Sequence, residues 1–192
     1  MERHAFSQVV MKDSQGYLNE KRVDLLLAAC ETQEEYSLLL IMWKTGGRIS
    51  EILAIKKQDF DFEEDSIILK TLKKRKPTVR SIPLDKKTID YFKTYAISLD
   101  DGDKLFKINR YQAYRILLRV GKRAKIVTIG TKQLHPHVLR HSFAIHCAKK
   151  GLPINVVARL LGHSNLAMTA YYQNFTSEDI KDLVKKIWGE KV

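Results

Sequence analysis

The sequence predicts a mainly α-helical domain carrying one β-hairpin. Three observations lead there: apolar residues recur at helical spacing along most of the chain, glycines stand where those helices should stop, and two β-rich strings flank a basic run. At 192 residues the chain is one domain, or one domain with a short arm, and is long enough to bury an independent core.

Met1 to Gly16 shows no sustained periodicity and ends in the turn-like Asp13-Ser14-Gln15-Gly16, so residues 1–16 read as an arm and order begins near Tyr17. From Asn19, a candidate N-cap, Val23, Leu26, Leu27 and Cys30 recur at helical spacing. Tyr36 to Lys44 reads as a second, more buried helix that stops at Gly46-Gly47. Arg48 follows the stop directly, and Ile49, Ile52 and Leu53 restart a helical stripe, so Arg48 projects from a helix junction where the glycine pair allows close backbone approach.

Ser66 to Leu72 and Thr78 to Leu84 are rich in β-formers and flank Lys73-Lys74-Arg75-Lys76-Pro77, which predicts a hairpin with a charged tip. Thr88 to Ile97 and Tyr111 to Arg123 read as amphipathic helices, the second ending in Arg119, Lys122 and Arg123, where the helix dipole favours cations. His135-Pro136 opens another helix that Gly151 stops, and Pro153 starts a short one stopped by Gly162. After them, Thr176 and Ser177 are candidate N-caps, with Glu178 and Asp179 in the first turn. Ile180, Leu183, Val184, Ile187 and Trp188 then share one face, which a lone domain would pack on its own core.

Charge and cysteine usage narrow the function. With 34 Lys plus Arg against 22 Asp plus Glu the chain carries +12, and its sequence pI is near 9.6, which points to a polyanionic partner. Cys30 and Cys147 lack the spacing of a zinc site or a secreted disulfide framework, which fits a reducing cytosolic compartment. Met1 to Val10 has no signal-peptide core, and the richest apolar run, Tyr36 to Trp43, is too short to span a bilayer, so a soluble intracellular protein is expected.

Three strings carry chemistry: Thr45-Gly46-Gly47-Arg48-Ile49-Ser50-Glu51-Ile52-Leu53, Leu134-His135-Pro136-His137-Val138-Leu139-Arg140-His141, and Leu160-Leu161-Gly162-His163 leading to Tyr171-Tyr172. Attack by an oxygen nucleophile on a phosphodiester raises its charge from one negative to roughly two, so fixed cationic donors are required. Arginine suits this because its planar fork gives parallel hydrogen bonds to phosphate oxygens. Arg140 lies three residues after His137, one helical turn, so both can face one phosphate. In their order these strings resemble the catalytic domain of the tyrosine recombinases, the phage integrase and Xer-like family, over roughly Tyr17 to Trp188.

The resemblance implies a mainly α fold with a small antiparallel β-sheet holding the hairpin, residues 17–192 forming the catalytic domain and about 177–188 its C-terminal helix, which in the family often docks on a neighbouring protomer. It implies DNA cleavage and rejoining through a 3′-phosphotyrosyl intermediate. Arg48 and Arg140 match the family's arginines, His137 and His163 its histidines, and Tyr172, nine residues after His163, its nucleophile, with Tyr171 left to packing. A hairpin lysine supplies the leaving-group proton: counting forward gives Lys73, counting back from Pro83 lands on Arg75, and Lys74 and Lys76 are alternates. Glu51 is placed to orient Arg48, or is a plain helix-surface carboxylate; His135, His141, Ser50 and Ser142 read as structural. Lys74, Arg75, Lys76, Lys122, Arg123 and Lys132 are the candidate DNA-contacting cations.

No residue cluster has metal-ligand spacing, and the implied chemistry uses no metal and no cofactor. The implied partners are double-stranded DNA and further copies of the chain, as a tetramer on paired sites, in the cytoplasm at the nucleoid and away from membranes. Typical members add an N-terminal DNA-binding domain that 16 residues cannot form; fimbrial-switch invertases resemble this chain in being close to catalytic domain alone, a fragment fits the sequence equally well, and a separate DNA-binding domain or accessory protein is a further candidate partner. A type IB topoisomerase and a non-catalytic DNA-binding regulator are the other readings. Because phosphate contacts should dominate, duplex affinity is expected to fall on the order of a thousandfold between about 50 and 200 mM salt. Fluorescence anisotropy across that range checks this, and a flat titration would contradict a phosphate clamp.

Overall fold

A computed structural model of the chain describes residues 16–71, 78–162 and 177–189. The elements run α1 (Glu20–Ala28), α2 (Gln33–Thr45), α3 (Ile49–Ile52), a 3-10 turn (Lys57–Asp59), β1 (Phe60–Asp61), β2 (Ser66–Thr71), β3 (Thr78–Pro83), α4 (Lys86–Tyr95), α5 (Arg110–Arg123), β4 (Thr128–Ile129), β5 (Lys132–Gln133), α6 (Pro136–Lys149), α7 (Ile154–Leu161) and α8 (Ser177–Ile187). The architecture is mainly helical with small antiparallel sheets, as expected.

Local chemistry sets the helix starts. Asn19, Thr32, Asp85 and Asn109 each accept from the backbone N–H three residues on, satisfying one of the orphan donors of a first turn. Pro136 occupies the first turn of α6, where its missing N–H costs nothing. The Thr32 cap starts α2 at Gln33, earlier than the Tyr36 read from apolar periodicity, because the first turn of this helix is polar.

Helix α2 is the centre of the molecule. Leu38, Leu39, Leu40, Ile41, Met42 and Trp43 are all buried, so this stretch of the helix is apolar all round, and α2 packs against α1, α3, α5 and α6. Gly46 stops it in the left-handed region at φ 58°, and a Cβ there would fall 2.3 Å from the Phe143 ring of α6. Glycine therefore serves both the turn and the close approach of α2 to α6.

The larger sheet has the order β1-β2-β3, antiparallel throughout. Its register pairs Ile67 with Ile82, Leu69 with Arg80 and Thr71 with Thr78, so these six share one face, and Ile67, Leu69 and Ile82 are fully buried there. The two strands predicted as a hairpin are thus present, and their connection, residues 72–77, lies outside the described residues. Strand β1 and the β4–β5 hairpin were not predicted, because two-residue strands show no alternation to read.

Helix α8 packs on its own chain. Ile180, Val184 and Ile187 are buried in the common core, and Lys185 and Lys181 reach Asp65 and Glu64 at 3.4 and 2.8 Å. Trp188, just past the helix, stacks on His146 with ring centroids 4.8 Å apart, meets Trp43 at 5.6 Å, and has Lys44 Nζ 3.7 Å above its ring. Of the two predicted caps, Ser177 opens α8 and Thr176 lies outside the described residues.

A Trp188→Ala change is expected to cost about 3 kcal/mol, the low end for a large aromatic, because the ring keeps some exposure. Urea unfolding followed by circular dichroism measures the loss, and an unchanged midpoint would mean that α8 is not docked on its own domain in solution.

Candidate active site

Three elements, α3 with its N-cap, β3 and α6, deliver an arginine or carboxylate to one place. Arg140, on α6, is only 8 % exposed, and it donates from Nη1 to the carbonyl of Gly46 and from Nη2 to that of Leu161, both at 2.7 Å. Those carbonyls close α2 and α7, where helix ends leave acceptors unsatisfied and the dipole is negative. Burial pushes the Arg140 guanidinium down to about 10, with Arg48 and Arg80 adding to the fall and Glu51 opposing it. It still carries its proton at neutral pH.

Arg48 sits in the junction between α2 and α3 as the sequence requires. Its Nη1 donates to Glu51 Oε1 at 3.0 Å, and its backbone N–H donates to Glu51 Oε2 at 3.0 Å. Glu51 is 2 % exposed, so it is not a surface carboxylate of α3. It also accepts from Arg80 Nη2 at 2.7 Å, a bond from strand β3 that the sequence reading did not include. Burial alone would raise the Glu51 carboxyl, but the bonds from Arg80 and Arg48 outweigh it and hold the group below its ordinary value.

Three guanidinium groups therefore surround one carboxylate, leaving an excess of two positive charges. That excess suits a dianionic oxyanion of the kind formed when a phosphodiester is attacked. The Arg48 side chain is 27 % exposed against 9 % for Arg80, which makes Arg48 the group of this pair that a ligand meets first.

His137 stands in the first turn of α6, exposed, with its ring 6.1 Å from that of His135. His135 is the N-cap of that helix, and burial, with the nearby His137 and Lys132, lowers its pKa, so it is neutral at neutral pH. Ser142 is structural as read: its hydroxyl donates to the Val138 carbonyl and accepts the Leu18 N–H, both at 2.7 Å. His141 is exposed.

The remaining candidates divide by place. Lys122 on α5 and Lys132 on β5 are exposed. Arg123 is half-buried and ion-paired with Glu31 and Glu35, and Arg119 meets Glu35 at 2.8 Å, so these two bind α5 to the start of α2. Lys73, Lys74, Arg75, Lys76, His163 and Tyr172 lie outside the described residues. Arg80 could have been found from strand alternation, since a charge at the inward position between Val79 and Ser81 is a departure that asks for a partner.

A carboxyl held low by folding stabilises the native state above its unfolded pKa, and that contribution is lost as pH falls through the folded value. Glu51→Gln leaves two guanidinium groups without their anion, with an expected cost of about 3 kcal/mol at pH 7. The gap between wild type and variant should narrow as pH drops below about 4. Denaturation curves from pH 7 to 3 check both, and a gap constant over that range would contradict the pairing.

Comparison with known proteins gives the family. The profile of the phage integrase family matches residues 16–178. A tyrosine recombinase of Thermosipho africanus is 32% identical over 179 residues, covering 89% of this chain and 61% of that protein. The type 1 fimbriae regulatory protein FimE of Escherichia coli K12 is 31% identical over 170 residues, covering 81% and 84%. Among solved structures, the XerA recombinase superposes with a TM-score of 0.65 at 26% identity, over 91% of this chain and 66% of that one. The catalytic domain of bacteriophage HP1 integrase gives 0.59 at 26%, over 88% and 93%. XerH recombinase bound to its difH substrate shares the fold, with a TM-score of 0.66 at 23% identity over 94% of this chain and 57% of that one. The chain spans about three fifths of the length of the Thermosipho relative. On its sequence profile and its relatives, the chain belongs to the phage integrase family, the tyrosine recombinases.

Proposed function

We propose that the chain is the catalytic domain of a site-specific DNA recombinase that cuts and rejoins duplex DNA through a 3′-phosphotyrosyl intermediate. The observation that carries the reading is the cluster of Arg48, Arg80 and Arg140 around Glu51, an anion site with two charges to spare. In this reading Arg48 and Arg140 hold the non-bridging oxygens of the scissile phosphate, and His137, one turn before Arg140, donates to one of them. Tyr172 gives up its phenolic proton to a phosphate oxygen or a nearby base, attacks phosphorus and forms the phosphotyrosyl bond. The 5′-oxygen leaves with its bonding electrons and takes a proton from Lys73, giving a free hydroxyl. His163, in the same stretch as Tyr172, completes the shell of donors. The new ester conserves the energy of the broken one, so rejoining is the same displacement in reverse and needs no cofactor.

The exposed Lys122 and Lys132 are the candidates for flanking phosphates, joined by Lys74, Arg75 and Lys76, which lie between β2 and β3 in sequence. Arg123 reaches a phosphate only by giving up Glu31 and Glu35, so in this reading it holds α5 in place. DNA as partner is supported by the net charge of +12 and by the DNA-bound XerH relative. Assembly as a tetramer on paired sites, help from a separate DNA-binding domain, and action in the cytoplasm at the nucleoid belong to the same proposal. Among the described residues no helix is long and apolar enough to cross a membrane.

Covalent trapping tests the reading. The protein is incubated with nicked duplex fragments, denatured in detergent, and the attached DNA is sequenced. Adducts should cluster at one sequence, vanish in Tyr172→Phe, and form about 100-fold more slowly in Arg48→Gln or Arg140→Gln, the loss seen on removing one oxyanion donor. Absence of any adduct alongside normal DNA binding would favour a DNA-binding regulator. Adducts that relax supercoils without exchanging strands between marked duplexes would favour a topoisomerase.

A further inference from the structure

Resting on the reading above, we propose that Arg80 is a positioning residue of the cleavage site, whose single guanidinium fixes the carboxylate behind Arg48 relative to the end of helix α7. Its three nitrogens address three elements. Nη2 donates to Glu51 Oε2 on α3 at 2.7 Å, Nε to the Leu160 carbonyl on α7 at 2.7 Å, and Nη1 to Thr71 Oγ1 on β2 at 3.2 Å. The acceptors lie 29, 80 and 9 residues away in sequence, so no local feature of β3 requires this side chain.

Its location argues against a merely packed or merely phosphate-tracking arginine. Arg80 faces inward opposite Leu69, beside Ile82, where an apolar residue would fill the register without desolvating a charge. Its side chain is 9 % exposed and all three nitrogens are occupied, whereas Arg48, on the other oxygen of the same carboxylate, is 27 % exposed. A Cβ at Gly162 would lie 2.9 Å from Arg80 Nη1, so the chain turns out of α7 directly against this guanidinium.

Two consequences follow for chemistry. Arg80 engages one Glu51 oxygen, leaving Oε1 for Arg48 Nη1 and fixing the plane in which the Arg48 fork lies. It also shares the Glu51 charge. Without it the carboxylate would offset Arg48 alone, and the excess positive charge at the site would fall from two to one. Through Leu160 the same group fixes the last turn of α7, three residues before His163 in sequence, and through Thr71 it fixes the end of β2, two residues before Lys73. Lysine supplies the charge but not the fork, so the role requires arginine.

The test uses the full chain and the duplex recovered by trapping. Single-turnover adduct rates at saturating DNA, half-saturating DNA concentrations and thermal midpoints are measured for Arg80→Lys, Arg80→Gln, Glu51→Gln and the Arg80→Gln/Glu51→Gln pair. The saturated rate is expected to fall on the order of 10- to 100-fold in both Arg80 variants. Half-saturation should move by less than about threefold, since the lost contact is not to DNA. The pair should be no slower than the slower single variant, because both act through Arg48. An Arg80→Lys protein as fast as wild type, a loss confined to half-saturation, or losses that multiply in the pair would each overturn the proposal. If wild type forms no adduct, the recombinase reading fails on its own account. The Arg80 tie is then decided in the free protein by carbon NMR titration of the Glu51 carboxyl, whose midpoint must rise in Arg80→Gln; an unmoved midpoint overturns it.

Discussion

Glu51 is a carboxylate at 2 % exposure, and the cost of burying a charge obliges the fold to bring cations to it. Two arrive from different elements, Arg48 from its own helix turn and Arg80 from a strand, and a third, Arg140, is fixed nearby by helix-end carbonyls rather than by a carboxylate. That difference decides what the site can do. Had each guanidinium its own carboxylate, the cluster would be neutral and would hold no phosphate. With one carboxylate among three, the rest of the stabilisation comes from backbone dipoles, which orient the arginines without cancelling their charge.

The remaining architecture keeps those pieces in register. The deeply buried α2 is wrapped by α1, α3, α5 and α6, so the stop at Gly46 is held from several sides. Gly46 presents its carbonyl to Arg140 while allowing Phe143 to close on it. Helix α7 ends with Leu160 and Leu161 on Arg80 and Arg140, just before the stretch that carries His163 and Tyr172. Beyond that stretch, α8 returns to the same core, where Trp188 covers Trp43 and His146. The two described elements that flank residues 163–176 in sequence, α7 and α8, thus both pack on the body that holds the arginines.

Much of this was legible in the chain. The Gly46-Gly47-Arg48 junction, the Pro136 start of α6 and the Gly162 stop of α7 stand where local rules put them, because caps, prolines and glycines act within a turn of themselves. The fold class follows from the same signals. What escaped was non-local or too short. Strands β1, β4 and β5 have two residues each, below the length at which alternation can be recognised. The pairing of Arg123 with Glu31 and Glu35 spans 92 and 88 residues, so a cation that suits a helix C-terminus looked available for DNA. Arg80 was not singled out in the sequence, although its place in β3, on the face it shares with Ile82, sets it apart from the other basic residues. For Glu51, spacing left two readings, a partner of Arg48 or a plain surface carboxylate, and its burial and its bond to Arg48 decide for the first.

In the proposed function, the Arg48–Glu51–Arg80–Arg140 cluster holds the phosphate that is cut. The decisive measurement is a crystal structure of the Tyr172→Phe protein on its duplex. One phosphate is expected there whose non-bridging oxygens accept hydrogen bonds of about 2.8 Å from Arg48 and Arg140, with Arg80 still on Glu51. A duplex bound over Lys122 and Lys132 with no phosphate in contact with the arginine cluster would contradict it.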